Sequence, residues 1–281
     1  MRNVVENEIY KSVHNRWFAI SLLLAFIVQL FSFFSNLDYV RQAMEFAYSN
    51  LELISPNWRG SNDQMNMYVM WLSEEGYTMG FTLARYMLPI LAVLPFGWSL
   101  FSENEKNYCY HAICRVGKVK YYTAKYLAVF LSGCIPVAFM LISNLALCAL
   151  IGEHGAPLCY TMTTSVIHRN VAAELYYTKP MLAALIWTMI SALWGGAIAG
   201  LTLIVSRILK RSIFVLLFPF FIVVLWDNLC TVVFRMADWS FMCNFFLCTS
   251  STGTIIFTEI TMLVAIGLVG GLSNYLRSEV L

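Results

Sequence analysis

The residues of this chain best suited to chemistry lie in one stretch, FSENEKNYCYHAICRVGKVKYYTAKYLAVF, residues 101–130. Two acids, Glu103 and Glu105, precede the bases Lys106, Arg115, Lys118, Lys120 and Lys125, with Tyr108, Tyr110, Tyr121 and Tyr122 among them. Acids then bases, in a chain otherwise poor in charge, make a surface for charge-paired docking rather than a reaction centre. Catalytic signatures are missing from the sequence. There is no HExxH, no GxSxG and no GxxxxGK[ST] phosphate loop; RVGKVK has a Gly-Lys pair without the glycine cradle. The chain is therefore not expected to be an enzyme, and any uphill work must draw on another subunit or an ion gradient. The eight cysteines include no CxxC pair, and His154 and His168 lack zinc-finger spacing to them, so no metal is expected. Cys159, Cys230, Cys243 and Cys248 fall on or near the outer side, where an oxidising compartment would allow a disulfide.

The elements that must position this stretch follow from composition. Of 281 residues, 59% are hydrophobic and 12% charged, and the mean hydropathy is +0.68. A soluble domain, at roughly 25% charged, does not hide that much apolar surface. The excess falls in runs long enough to cross a bilayer. Six spans are predicted, near Trp17–Phe34, Thr82–Leu100, Tyr122–Ile151, Met181–Ser206, Ile213–Leu229 and Thr254–Leu272. All must be helices, because lipid satisfies neither a sheet edge nor a bare loop. The expected fold is an all-α polytopic membrane protein, residues 1–281 forming one transmembrane domain.

The basic residues orient it. Arg2, Lys11, Arg16, Lys106, Arg115, Lys118, Lys120, Lys125, Arg207, Lys210, Arg211 and Arg277 flank one side, against Arg41, Arg59, Arg169, Lys179 and Arg235 on the other. The positive-inside rule puts both termini and the 101–121 loop in the cytoplasm. A net charge of +2 gives no ground for nucleic-acid binding.

Ahead of the first span, Val5, Ile9, Val13 and Trp17 recur every fourth residue with Glu6, Glu8, Lys11 and Arg16 on other faces. Residues 1–16 read as an interfacial amphipathic helix. Between the first two spans, Leu37, Val40, Met44, Ala47, Leu51 and Ile54 form one helical stripe. SPNWRG then breaks the chain, and Ser61 with Gln64 fits a capping box, so residues 35–81 read as an outer helical hairpin. Its acids (Asp38, Glu45, Glu52, Asp63, Glu74, Glu75) either favour a cationic cargo or simply solvate the surface.

With these residues on the page, the chain resembles the ABC-2-type exporter permeases. Glu103/Glu105 followed by ICRVGKVKYYTAKYLA looks like that family's cytoplasmic coupling helix between spans two and three. ENEIYKSVHNRWFAI resembles its interfacial helix and the start of span one. Asn107-Tyr108 stands where the family usually has Gly-Thr, and the usual proline before the basic run is absent. The resemblance implies a bacterial cytoplasmic-membrane transport subunit that pairs with an identical or homologous permease and with cytoplasmic ABC ATPase subunits. ATP and Mg would bind those subunits, and no cofactor would bind this chain. It also implies that the 102–120 loop seats in the ATPase, with Glu103, Glu105, Arg115, Lys118 and Lys120 as coupling residues. The alternative for these charges is that they only set topology.

Charges inside the spans need separate reasons. Arg85, Asp227 and Glu259 fall within or near apolar segments, where a lone charge costs roughly 2.5–3.5 kcal/mol on insertion scales. Arg85 and Glu259 are expected to pair as a lock on the outer half of the bundle; snorkelling to the surface is the alternative. Ala192, Gly196 and Gly200, with Gly267, Gly270 and Gly271, mark close helix contacts. Phe218, Phe220, Phe221, Trp226, Trp187 and Trp194 suit an amphipathic or lipid-like cargo, or equally ordinary lipid-facing helices; the compact outer hairpin leans toward a peptide, with polysaccharide and lipid open. A gradient-driven transporter and a membrane immunity or sensor protein remain the competing readings.

Overall fold

The computed structural model describes residues 2–49, 65–72, 78–157, 170–206, 208–245 and 252–277. Among the described residues every regular element is a helix, and Asn66 and Glu153 make one isolated bridge. In order these are α1 (Arg2–Val13), α2 (Arg16–Ser49), α3 (Met67–Leu72), α4 (Met79–Val93), α5 (Ser99–Glu105), α6 (Tyr108–Val116) and α7 (Lys118–Ile151). There follow α8 (Ala173–Thr178), α9 (Pro180–Gly200), α10 (Thr202–Val205), α11 (Ser212–Asn228), α12 (Phe241–Phe245) and α13 (Gly253–Arg277). A π turn, Leu229–Val233, ends α11, and a 3₁₀ turn, Ala237–Trp239, precedes α12.

Five stretches are long and apolar enough to cross a membrane: Arg16–Gln42, Lys118–Ile151, Pro180–Val205, Ser212–Val233 and Gly253–Gly270. The chain is thus an all-α, multi-pass membrane protein. The predicted second span, Thr82–Leu100, is not one helix. Its apolar helix α4 runs only 15 residues before the chain turns at 94–98 and resumes as α5. Pro95 explains the break: lacking an N–H, it cannot serve the carbonyl of Leu91. The Ser21 hydroxyl donates to that carbonyl instead, at 2.8 Å. Asn15, in the turn between α1 and α2, donates to the carbonyl of Pro95 at 3.2 Å.

The segment expected to form a hairpin also differs from expectation. No break occurs at Ser35; α2 continues unbroken to Ser49, and Leu37 and Val40 are buried on it. The proposed cap, Ser61 with Gln64, lies outside the described residues. The segment around α3 is tied to the end of α7, Met67 N–H donating to Glu153 O at 3.0 Å and Glu153 N–H to Met65 O at 2.8 Å.

Helix α7 is the central post, packed by α9, α2, α1, α4, α3 and α13. Glycines let it approach α9. A Cβ on Gly133 would lie 2.6 Å from Ala199 Cβ and 3.0 Å from the carbonyl oxygens of Ala92 and Gly195. A Cβ on Gly196 would lie 2.5 Å from Cys134 Sγ and 2.8 Å from Phe130 O. On α13, Gly267 lies against Tyr126 and Gly200, and Gly270 against Ile204. Gly133, Gly196, Gly200, Gly267 and Gly270 therefore serve contacts inside one chain. Trp187 and Trp194, both fully buried, fill the core beside them.

Candidate coupling site

Residues 99–116 form a helical elbow, α5 then α6, at the basic end of the bundle. Two backbone positions set its bends. Asn107 holds φ 55° between α5 and α6, and Gly117 holds φ 89° between α6 and α7. Asparagine is among the few side chains that tolerate the left-handed region. Asn107→Val is accordingly expected to cost roughly 1–2 kcal/mol, and Asn107→Gly almost nothing. Equilibrium unfolding in detergent checks this, and a valine variant as stable as the parent would remove the turn from the account.

Helix α6 is amphipathic. Cys109 and Ile113, one turn apart, are buried against a cluster with Phe96, Leu100, Tyr121, Tyr122, Val129 and Leu203. Tyr108, Tyr110, His111, Cys114 and Arg115 face outward. Of the four tyrosines in the stretch, Tyr108 and Tyr110 are exposed, while Tyr121 and Tyr122 pack inside.

Beneath the elbow lies a buried charge cluster centred on Lys125, whose side chain is 0% exposed. Its ammonium donates to Glu103 Oε1 at 2.6 Å and to Glu8 Oε2 at 3.1 Å. Lys11 donates to the other Glu8 oxygen at 2.6 Å, and the Tyr121 hydroxyl donates to the other Glu103 oxygen. The Phe96 ring centroid sits 4.5 Å from the Lys125 ammonium, and the Tyr108 centroid 5.4 Å from that of Lys11. Two carboxylates and two ammoniums thus bind α1, α5 and α7 together, with α6 joined through Tyr108. Burial alone would lift the Glu8 carboxyl, but Lys125 and then Lys11 outweigh it and hold the group below its ordinary range. Burial likewise works against the Lys11 ammonium, and the hydrogen bond to Glu8 more than restores it.

The expected coupling residues divide. Glu105, Arg115 and Lys120 are exposed and Lys118 partly so, and none forms an ion pair among the described residues. Glu103 turns inward instead, its carboxylate taken by Lys125 and Tyr121. Glu105 also lines a cleft of about 470 Å³ between the elbow and the turn before α11, facing Ser206, Leu209 and Lys210, with Phe101, Asn104 and Tyr110 completing the wall.

Sequence reasoning missed Glu8 and Lys125. Glu8 was expected on an outward face of the N-terminal helix, yet it is 5% exposed and Ser12 beside it 0%. Helix α1 packs on α7 with this polar face because α7 presents a cation there. The available signal was Lys125 itself, an ammonium lying inside an apolar span, where a charge needs a partner.

At the other end of the bundle the expected Arg85–Glu259 lock is not formed. Arg85 Nη2 reaches Asp227 Oδ1 at 3.3 Å, joining α4 to α11, and Asp227 also accepts from the Ser240 hydroxyl. Glu259 receives the Asn244 amide on both oxygens, at 2.9 and 3.0 Å. The reason is adjacency: α4 packs against α11, whereas α13 packs mainly against α9, α10 and α7. No family model, curated protein or solved structure matches the chain.

Proposed function

We propose that this chain is the membrane-spanning subunit of an ATP-driven exporter, working with a separate cytoplasmic ATPase that docks on the α5–α6 elbow. The observation that carries the reading is the elbow's two-sidedness. Its outer face, with the first turn of α7, offers Glu105, Arg115, Lys118 and Lys120 with no ion-pair partner among the described residues, while its inner face is bolted through Glu103 and Lys125 to α7. A load applied to the outer face reaches the central helix without passing through a flexible loop. It also reaches α1, because Glu8 shares the same ammonium. In this reading the elbow end is cytoplasmic, and α4 with α5 completes a sixth crossing. A second permease subunit completes the pathway, and the cargo is amphipathic, with peptides favoured.

The deciding experiment purifies the tagged chain from its native membrane in mild detergent and identifies partners by mass spectrometry. An ATPase subunit is expected in equal amount, and its recovery is expected to fall at least tenfold in the Glu105→Lys/Lys118→Glu double variant. Neither residue has a partner inside the chain among the described residues, so this variant should fold. A chain that purifies without any ATPase would sink the proposal and favour a gradient-driven or binding role. Full ATPase recovery with the double variant would remove the elbow as its seat.

A further inference from the structure

At the far end of α11 from the elbow lies a second cavity, of about 370 Å³, within the size range of small-molecule sites. Its walls are aromatic and sulfur-bearing: Trp226, Phe234, Trp239, Phe241 and Met262, with the carboxylate-bearing side chain of Glu259 among them. The backbone is shaped around it. The chain leaves α11 through the π turn, Phe234 N–H donating to Leu229 O at 2.9 Å, and Arg235 then takes a left-handed φ of 53°. Trp226 is held in place by stacking on Phe241, centroids 5.6 Å apart, and by donating its indole N–H to Trp239 O at 2.8 Å.

Glu259 is the anomaly. It is 3% exposed and sits in a membrane-spanning helix, yet no lysine, arginine or histidine among the described residues pairs with it. Its partner is a neutral amide, Asn244, whose own Oδ1 is buried without a donor among the described residues. The carboxylate therefore lacks a cation, and the amide that holds it leaves its own oxygen unmatched behind it. A buried carboxylate so placed demands a positive partner or a proton. A bare metal ion would need several more oxygen ligands, and no group of three His, Cys, Asp or Glu among the described residues could hold one. Aromatic faces around a single carboxylate are instead the surroundings that stabilise a poorly hydrated organic cation.

We propose that this cavity binds an organic monocation of the quaternary ammonium class, its charge against Glu259 and its apolar groups against the tryptophan and phenylalanine rings. The proposal is independent of the ATPase reading, since cavity and elbow lie at opposite ends of α11 and share no residue.

The test titrates the purified full chain, in a neutral detergent, with benzyltrimethylammonium by calorimetry, and with benzyl alcohol and benzoate as neutral and anionic controls. Saturable one-site binding of the cation alone is expected. Affinity should fall at least tenfold in Glu259→Gln and in Trp239→Ala, and be retained within a few-fold in Glu259→Asp. Thermal unfolding of each variant checks that it is folded. Should Glu259→Gln not fold, Met262→Trp, which fills the cavity but keeps the carboxylate, is expected to abolish binding. The proposal is overturned if benzyl alcohol binds as well as the cation, or if no titration saturates. It is equally overturned if Glu259→Gln binds as tightly as the parent, the outcome for a carboxyl that merely carries a proton.

Discussion

Replacing Lys125 by methionine is expected to destabilise the chain by about 3–5 kcal/mol, the usual cost of removing one partner from a buried ion pair. The reason is what stays behind. Glu103 and Glu8 would face each other across an apolar gap, and Lys11, with its side chain 43% exposed, reaches only Glu8. The first visible consequence should be release of α1, since Glu8 and Ile9 are central to its docking on α7. Limited proteolysis should then cut near the Asn15 turn in the variant and spare the parent. Equilibrium unfolding in detergent gives the energy. Neutralising the whole set, as Glu8→Gln/Glu103→Gln/Lys125→Met, should recover much of the loss, because no buried charge is then left alone. If Lys125→Met alone unfolds at the parent's midpoint, the cluster contributes nothing, and the elbow's rigid link to α7 goes with it.

Gly133→Leu is expected to have the next largest effect. Even a methyl at this position meets Ala199 Cβ at 2.6 Å and two backbone oxygens at 3.0 Å, from α4 and α9. Backbone cannot step aside as a side chain can, so α7 must separate from both neighbours at once. Overpacking typically costs 1–3 kcal/mol, and a leucine caught between two backbones belongs at or above the upper end of that range. Gly133→Ala should already lower the midpoint measurably. A leucine variant that is monodisperse and as stable as the parent would show that α7 and α9 are not in the close contact described here.

Much of this architecture is legible in the sequence because lipid is an undiscriminating solvent. Runs of apolar residues must become helices, and the run from Tyr122 to Ile151 and that from Met181 to Ser206 correspond closely to observed helices. What hydropathy averages away is the single residue. Pro95 lowers the apolar score of its segment hardly at all, yet it stops α4 after 15 residues. Charges are harder still. A sequence announces that Arg85 needs an anion, but the choice between Asp227 and Glu259 depends on which helix lies beside α4. That adjacency is tertiary, α4 lying against α11, and no local pattern in the sequence carries it. The inward turn of Glu8 has the same origin: its helix has an apolar stripe, and a cation on another helix decided which face went inside. The exposed charges were easier, since Glu105, Arg115 and Lys120 form no ion pair among the described residues.

The ion pair between Glu8 and Lys125 spans 117 positions. Its two ends are therefore not made together. At roughly 5–20 residues per second, on the order of ten seconds of synthesis separates the carboxylate from the buried ammonium it will share with Glu103. Through that interval its nearest cation is Lys11, three residues on in the same helix. Helix α1 is thus made well before the helix it docks on, and it settles only once α7 has followed.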